Sequence, residues 1–548
     1  MGMTLKELLT KGEGTLSAQE AKALAAQCRM DLDTLYTLLE ERGIKIQEEE
    51  TEPGLDVEGI MAEVENAENN NDDLGIGADE DTSCSSNDDL AGDNAGQAKA
   101  DGFYMTLTVQ SPNASGTRTS VLDPEFATED EATITKGTLY LVDDKGEIAF
   151  SEDLSNLGWS GQTDENESSK KDGNKTFKIE VKDVHAGNTY KVYFKAGDQA
   201  PTAAMNFKPT LSNIFNTTDK FATSFATAKS FAMFNQNDEQ VNGNGYTVTF
   251  SKANNNEANP AKVNYNGVAG SPIKVERVVA RIDAPVNKST KVLAEYPANA
   301  SEALKVAIDD AKEKVADIKL VDYAVANLAN QSYVMQTWNN NQLSLPANTN
   351  YTQKATDFGT KYYYKDNEFF NTNTVNYVFE NNSSENPTTM YFEYKVTLKD
   401  MTNADFKEGV NAGTFYRYNN VIYTSFDQIF KDYKDVATTL FGGGKDAAKM
   451  KTELADAIND DTKLAKFRED YNIEVFKGGK TYYKHVIKDN HINGIIQRNS
   501  IYRLNINNIF NVGAQVPNGE PTENDYYFIN VTVTVNPWVL NTEDVDLQ

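Results

Sequence analysis

A chain of 548 residues, 39% of them hydrophobic, is too long for one ordinary core and apolar enough to fold, so two folded domains with unfolded segments are expected. Its formal net charge of −30 offers no basic face for phosphate and speaks against nucleic acid as a partner. Cys28 and Cys84 are the only cysteines and supply no disulfide framework, and His185, His485 and His491 form no helical metal-binding pair.

Taken in chain order, Leu5, Leu8 and Leu9, then Leu32, Leu35, Leu38 and Leu39, fall at helical spacing before Gly43. They predict a small helical unit over residues 1–46. Between Lys45 and Lys99 stand 17 Asp and Glu and no Lys or Arg, over half the chain's net excess, so residues 47–100 read as an acidic, disordered linker. Within it, Thr82-Ser83-Cys84-Ser85-Ser86-Asn87-Asp88 has the small and acidic residues that follow a lipidated cysteine, but acidic residues where an apolar signal belongs. Cys84 is therefore a lipidation candidate, with residues 1–83 read as a segment appended in place of a lipoprotein signal. The alternative is an incidental cysteine in a linker.

Strand signals begin near residue 101. Gly102 to Gln110, Gly137 to Asp143, Thr176 to Val181, Tyr190 to Phe194, Tyr246 to Phe250 and Ile273 to Ile282 alternate apolar and polar residues. Ser301 is placed to cap a helix carrying Leu304, Ala307, Ile308, Ala311, Val315 and Ile318 on one face. Strands follow at Tyr391 to Leu398, Thr481 to Ile487, Ile501 to Ile509 and Tyr526 to Val535, with a helical region from Phe426 to Tyr471 broken at Gly442-Gly443-Gly444. A domain boundary is expected near Ala284 to Lys288.

Two strands carry the functional argument. In the first, Phe103, Met105, Leu107 and Val109 share one face, and a loop of small residues follows with Arg118 as its single cation, suited to a trypsin-like protease. In the last, Tyr527, Ile529, Val531, Val533 and Val535 share a face, Pro537 is expected to end the ladder, and Trp538 follows. On pattern alone each is an ordinary strand of its own domain, and Arg118 an ordinary surface residue.

In their order, Cys84, the strand Tyr104-Met105-Thr106-Leu107-Thr108, Arg118, Val275 to Arg281, Arg498-Asn499-Ser500-Ile501-Tyr502 and Val531 to Trp538 resemble the major fimbrial subunits (fimbrillins, type V pilins) of the Bacteroidales, over about residues 84–548. The closing Asp544-Val545-Asp546-Leu547 is similar to the end of that family's minor-fimbria shaft subunit. Residues 1–83 match nothing in fimbrillins. Thr4 to Ile46 with its acidic tail resembles instead, without a sharp motif, the N-terminal inhibitory region of housekeeping sigma factors.

The fimbrillin resemblance implies a mostly β chain with two β-sandwich-like (transthyretin-like) domains, at 119–285 and 286–525, and a few inserted helices. It implies a lipoprotein precursor, exported via the outer membrane and anchored through Cys84, with the lipid confined to that precursor. An arginine-directed protease would cut between Arg118 and Thr119, freeing the strand within 101–118. The region 526–548 of an identical subunit would fill the groove, giving a head-to-tail cell-surface filament with other fimbrial subunits as further partners. The resemblance implies no cofactor and no catalysis.

Enzyme chemistry finds little else to rest on. Gly442-Gly443-Gly444-Lys445 lacks the spacing of a phosphate loop, and Cys84 in an acidic linker would have a raised thiol pKa. The competing expectation is an adhesin or tip subunit whose aromatic segment Lys361-Tyr362-Tyr363-Tyr364-Lys365 binds glycan or protein, against a strand burying alternate rings.

Overall fold

The computed structural model describes residues 14–17 and 44–47, then 102–110 and, with short gaps, 125–517, and finally 529–539. The chain divides into two compact units, Met1–Asn94 and Ala95–Gln548. In the first, Gly14–Ser17 and Ile44–Gln47 pair in parallel, Gly14 opposite Ile44. The described residues of the expected helical unit are therefore strands, favoured by the β-branched alternation Ile44-Lys45-Ile46, with the dozen or more residues a parallel connection needs lying between them. The leucines that predicted helices, and the acidic linker with Cys84, lie outside the described residues.

The second unit is mostly β. Its first large sheet is built around the strand Phe103–Gln110, called here the leading strand. Asn174–Val181 runs antiparallel along one side of it. On the other side Ala261–Lys262 and Ile273–Arg277 run parallel to it. From Ile273–Arg277 the sheet continues through Met233–Asn235 to Thr189–Ala196, which also pairs with Gly137–Val142 and Tyr246–Thr249. The core on this sheet gathers Phe103, Leu107, Leu139, Phe194, Phe234, Val248 and Val275.

A second sheet orders Val375–Val378, Ala280–Asp283, Ser500–Ile509, Ile529–Val539 and Glu125–Phe126, and a third Val315–Ala326, Thr389–Leu398 and Lys480–Val486. Between these lies another core, with Ile282, Tyr394, Phe392, Leu504 and Ile506. The chain passes from one core to the other between Val279 and Ala280. The expected single strand Ile273 to Ile282 is thus two strands in different sheets, Ile273–Arg277 and Ala280–Asp283. A continuous apolar run is compatible with either outcome, because Val278 and Val279 are buried at the junction as fully as the strand residues are.

Ser301 caps the helix Glu302–Lys314, its hydroxyl accepting from the Leu304 amide at 3.1 Å, and Leu304, Ala307, Ile308 and Ala311 are buried as their spacing predicts. Val315 and Ile318 do not extend that helix but open the strand Val315–Ala326. A register shift between Val315 and Asp317 inserts one residue into the pleat. It thereby puts Val315 and Ile318 on one face at a separation of three, imitating helical spacing. The region from Phe426 to Tyr471 forms four helices, Phe426–Asp432, Ala437–Phe441, Ala447–Ala457 and Asp461–Tyr471. They pack on a small sheet of Phe415–Tyr418, Val421–Tyr423 and Glu474–Phe476.

Tyrosines buried in these cores set the alkaline limit of the fold. Burial, reinforced by the Glu131 carboxylate, pushes the Tyr377 phenol up to about 12. Burial likewise raises Tyr394, Tyr423 and Tyr483. The folded chain keeps protons that the unfolded chain releases near pH 10, so this stabilisation is intact below about pH 10 and is lost as pH rises through about 12. Denaturant midpoints should therefore fall above about pH 10, with tyrosinate absorbance rising together with the loss of β circular dichroism. Full tyrosinate absorbance in a chain that keeps its sheet signal would contradict this.

Candidate functional site: the leading and closing strands

The leading strand alternates as its sequence demands. Phe103, Met105, Leu107 and Val109 are buried, each at most 2% exposed, and Tyr104, Thr106, Thr108 and Gln110 are half-exposed. All eight residues pair with Asn174–Val181, from Phe103 opposite Val181 to Gln110 opposite Asn174. The Phe103 ring lies 5.5 Å from that of Phe250, and the Thr108 and Thr176 hydroxyls bond at 3.0 Å. Among the described residues, Asn174–Val181 pairs with no strand besides the leading strand. Removing the leading strand would therefore expose backbone groups along its three neighbours and the apolar residues Phe177, Ile179 and Ile273 that stand opposite it.

The closing strand, Ile529–Val539, runs antiparallel to Ser500–Ile509 from Ile529 opposite Ile509 to Pro537 opposite Ser500, with one register shift between Ile506 and Asn508. Val531, Val533 and Val535 stand at the register positions opposite Ile506, Leu504 and Tyr502, all three of which are fully buried. In this state the closing strand completes the sheet of its own subunit. Contrary to the expectation from sequence, Pro537 does not end it; the strand passes through to Val539. The second neighbour of the closing strand, Glu125–Phe126, begins its parallel pairing at Trp538, so Pro537 has a ladder on one side only, where a missing N–H costs least.

Arg118, Thr119 and Tyr527 lie outside the described residues, as does Cys84. Glu125–Phe126, two residues too short to read as a strand, had no signal in the sequence. It ties the chain shortly after Arg118 to the end of the closing strand.

The segments Val275 to Arg281 and Arg498 to Tyr502 meet in a buried polar junction between the two cores. Arg498 gives Nε and Nη2 to the Glu380 carboxylate at 3.1 and 2.7 Å. It also bonds the Val334 and Tyr333 carbonyls and the Ser332 hydroxyl. Arg277 donates Nε to the Glu131 carbonyl and Nη1 to the Asn499 side chain, both at 2.9 Å, and its burial lowers the guanidinium to about 9. Arg281 reaches Glu131 and Asp283, and Arg503 reaches Asp283 from the strand that holds the closing strand. The arginines stand out in sequence as cations in apolar runs; Glu131 and Glu380, more than 100 residues away, do not. The tyrosines of Lys361 to Tyr364 are half-buried, and the segment is irregular, with Tyr364 in one isolated bridge to Gly359 in place of a strand.

Residues 474–544 match the family model for the C-terminal part of the type IV major fimbrial subunit protein, fimbrillin. That stretch holds both the closing strand and its partner Ser500–Ile509. No curated protein matches the chain. Among solved structures, a candidate cell adhesion protein from Parabacteroides distasonis is 12% identical with a TM-score of 0.41, over 80% of this chain and 100% of that one. A second from the same organism is 14% identical with a TM-score of 0.40, over 81% and 98%. A fimbrillin from Porphyromonas gingivalis is 16% identical with a TM-score of 0.37, over 80% and 98%.

Pairing of Glu125–Phe126 with Trp538–Val539 makes the first pair a latch on the second. Phe126→Pro, which disfavours continued strand pairing, should weaken this two-residue ladder by about 1 kcal/mol. Amide exchange at Trp538 and Val539 should then quicken about fivefold, with Phe103–Gln110 unchanged. Unaltered exchange at Trp538 and Val539 would show that the latch holds nothing.

Proposed function

We propose that the chain is a structural subunit of a cell-surface fimbrium that polymerises by protease-triggered strand exchange. The observation that carries this reading is the leading strand: the first described strand of its unit, inserted between Asn174–Val181 on one side and Ala261–Lys262 and Ile273–Arg277 on the other, with four apolar side chains buried, and followed by residues 111–124, where Arg118 is the only cation. The fimbrillin match over residues 474–544 supports it at the other end of the chain.

In this proposal, cleavage after Arg118 releases the leading strand, and the closing strand of the next subunit takes its place by β-augmentation. Before that it must part from Ser500–Ile509 and from Glu125–Phe126 in its own subunit. Burying about five aliphatic or aromatic side chains at roughly 2 kcal/mol each gives on the order of 10 kcal/mol before ordering costs, enough for a long-lived joint. The contact is head-to-tail and does not close on itself, which yields a filament. Uncut, the leading strand competes from within the molecule at high effective concentration and keeps the precursor monomeric. Cys84 is the lipid attachment point of that precursor in the same proposal.

Two variants test the scheme by electron microscopy of protease-treated protein. Arg118→Ala should remain monomeric under a protease that converts the parent chain to filaments; normal filaments would remove Arg118 from its role. Deletion of residues 526–548 should leave a folded chain that cannot donate, and filaments of undiminished length would exclude the donor assignment.

A further inference from the structure

The helix Asp461–Tyr471 has no role in the proposed strand exchange, yet through Arg468, together with Lys361–Tyr362 and the small sheet beneath it, it bounds a cavity of about 240 Å³. Its lining includes Lys361, Tyr362, Asn420, Arg468, Asn472 and Gln515. Arg468, on the helix Asp461–Tyr471, is 4% exposed. Two of its nitrogens are held by carbonyls, Nη1 by Tyr362 at 3.0 Å and Nη2 by Val475 at 2.6 Å, while Nε has no partner. Among the described residues no carboxylate lies within ion-pair distance of it, and burial lowers the guanidinium to about 10.

The other guanidinium of the wall is already neutralised. Arg417 holds Glu474 through two bonds, at 2.5 and 2.7 Å, and donates two more to the Val512 and Gly513 carbonyls. Lys361, exposed at the rim with its ammonium 5.4 Å from the Tyr362 ring centre, has no ion pair among the described residues. The wall thus carries three cations, Lys361, Arg417 and Arg468, against the single carboxylate of Glu474. In a chain of net charge −30 this is a local reversal of sign, and it includes a buried cation that no described carboxylate touches, Asp461 and Glu474 acting on it only from beyond ion-pair distance.

The surroundings narrow the chemistry of an anion that would fit this wall. A guanidinium fork suits a carboxylate. The side-chain amides of Asn420 and Asn472 make no hydrogen bond to a described residue, and Gln515 spends its carbonyl on the Val475 amide, which leaves its NH2 as a donor. Such groups match vicinal hydroxyls, and the Tyr362 ring offers a face for the apolar side of a sugar. The volume is below the ~300 Å³ at which drug-sized sites begin, and suits one sugar ring. We propose that this cavity binds a single carboxylated sugar, a uronic or sialic acid residue, with Arg468 and Lys361 taking the carboxylate and Asn420, Asn472 and Gln515 the hydroxyls. The site is complete in one subunit and does not depend on polymerisation.

Calorimetric titration of the full-length monomer with N-acetylneuraminic acid, galacturonic acid, galactose and glutamate tests this. At least one acid sugar should bind, with galactose and glutamate weaker by about tenfold or more. Arg468→Gln should abolish binding. Because Arg468 also braces two carbonyls, Lys361→Ala and Asn420→Ala, both at exposed positions, provide variants that fold, and each should weaken binding several-fold. Absence of acid-sugar binding, equal binding of galactose or of glutamate, or affinity unmoved in both exposed-position variants would overturn the proposal.

Discussion

The architecture of the first sheet depends on one strand being inserted between two others. Asn174–Val181 is attached, among the described residues, through the leading strand alone, so the eight residues Phe103–Gln110 hold in place a further strand whose Phe177, Ile179 and Val181 are buried. Loss of the leading strand therefore costs more than its own burial: the neighbour it secures loses its one ladder among the described residues. An emptied sheet of this kind has too much unpaired backbone to persist, so under the proposed exchange the replacement would have to enter as the original leaves.

The buried arginines give the second unit a stiffness that apolar packing alone would not. Arg498 ties Glu380 to three other groups around Ser332 and Tyr333, and Arg277 bonds the Glu131 carbonyl and the Asn499 side chain. Charges at such a depth are costly unless every partner is present, which favours one arrangement of the two cores over alternatives. The strand Ser500–Ile509 begins in this junction and then carries the closing strand, so the surface from which the closing strand would depart is held by fixed, long-range contacts.

Strands set by local alternation were legible in the sequence: Phe103–Gln110, Thr189–Ala196 and Ser500–Ile509 lie where their apolar residues put them. So was the helix capped by Ser301. What escaped was decided at a distance. The change of sheet after Arg277 follows from partners at Glu131 and Asn499, and the false helical spacing of Val315 and Ile318 from a register shift opposite Leu398 and Thr397. Glu125–Phe126 is defined by its partner and not by its own two residues. Arg468 reads locally as one cation in a polar helix, and its isolation comes from the fold that buries it.

The leading strand has an antiparallel neighbour on one side and parallel neighbours on the other. A substitute strand entering backwards would invert both relations at once and have to rebuild both hydrogen-bond patterns. The present register favours the heading of the strand the slot now holds. A fibre assembled through that slot would have every copy facing the same way, so its two extremities would differ chemically, one presenting a slot still held by its own leading strand and the other an unused tail.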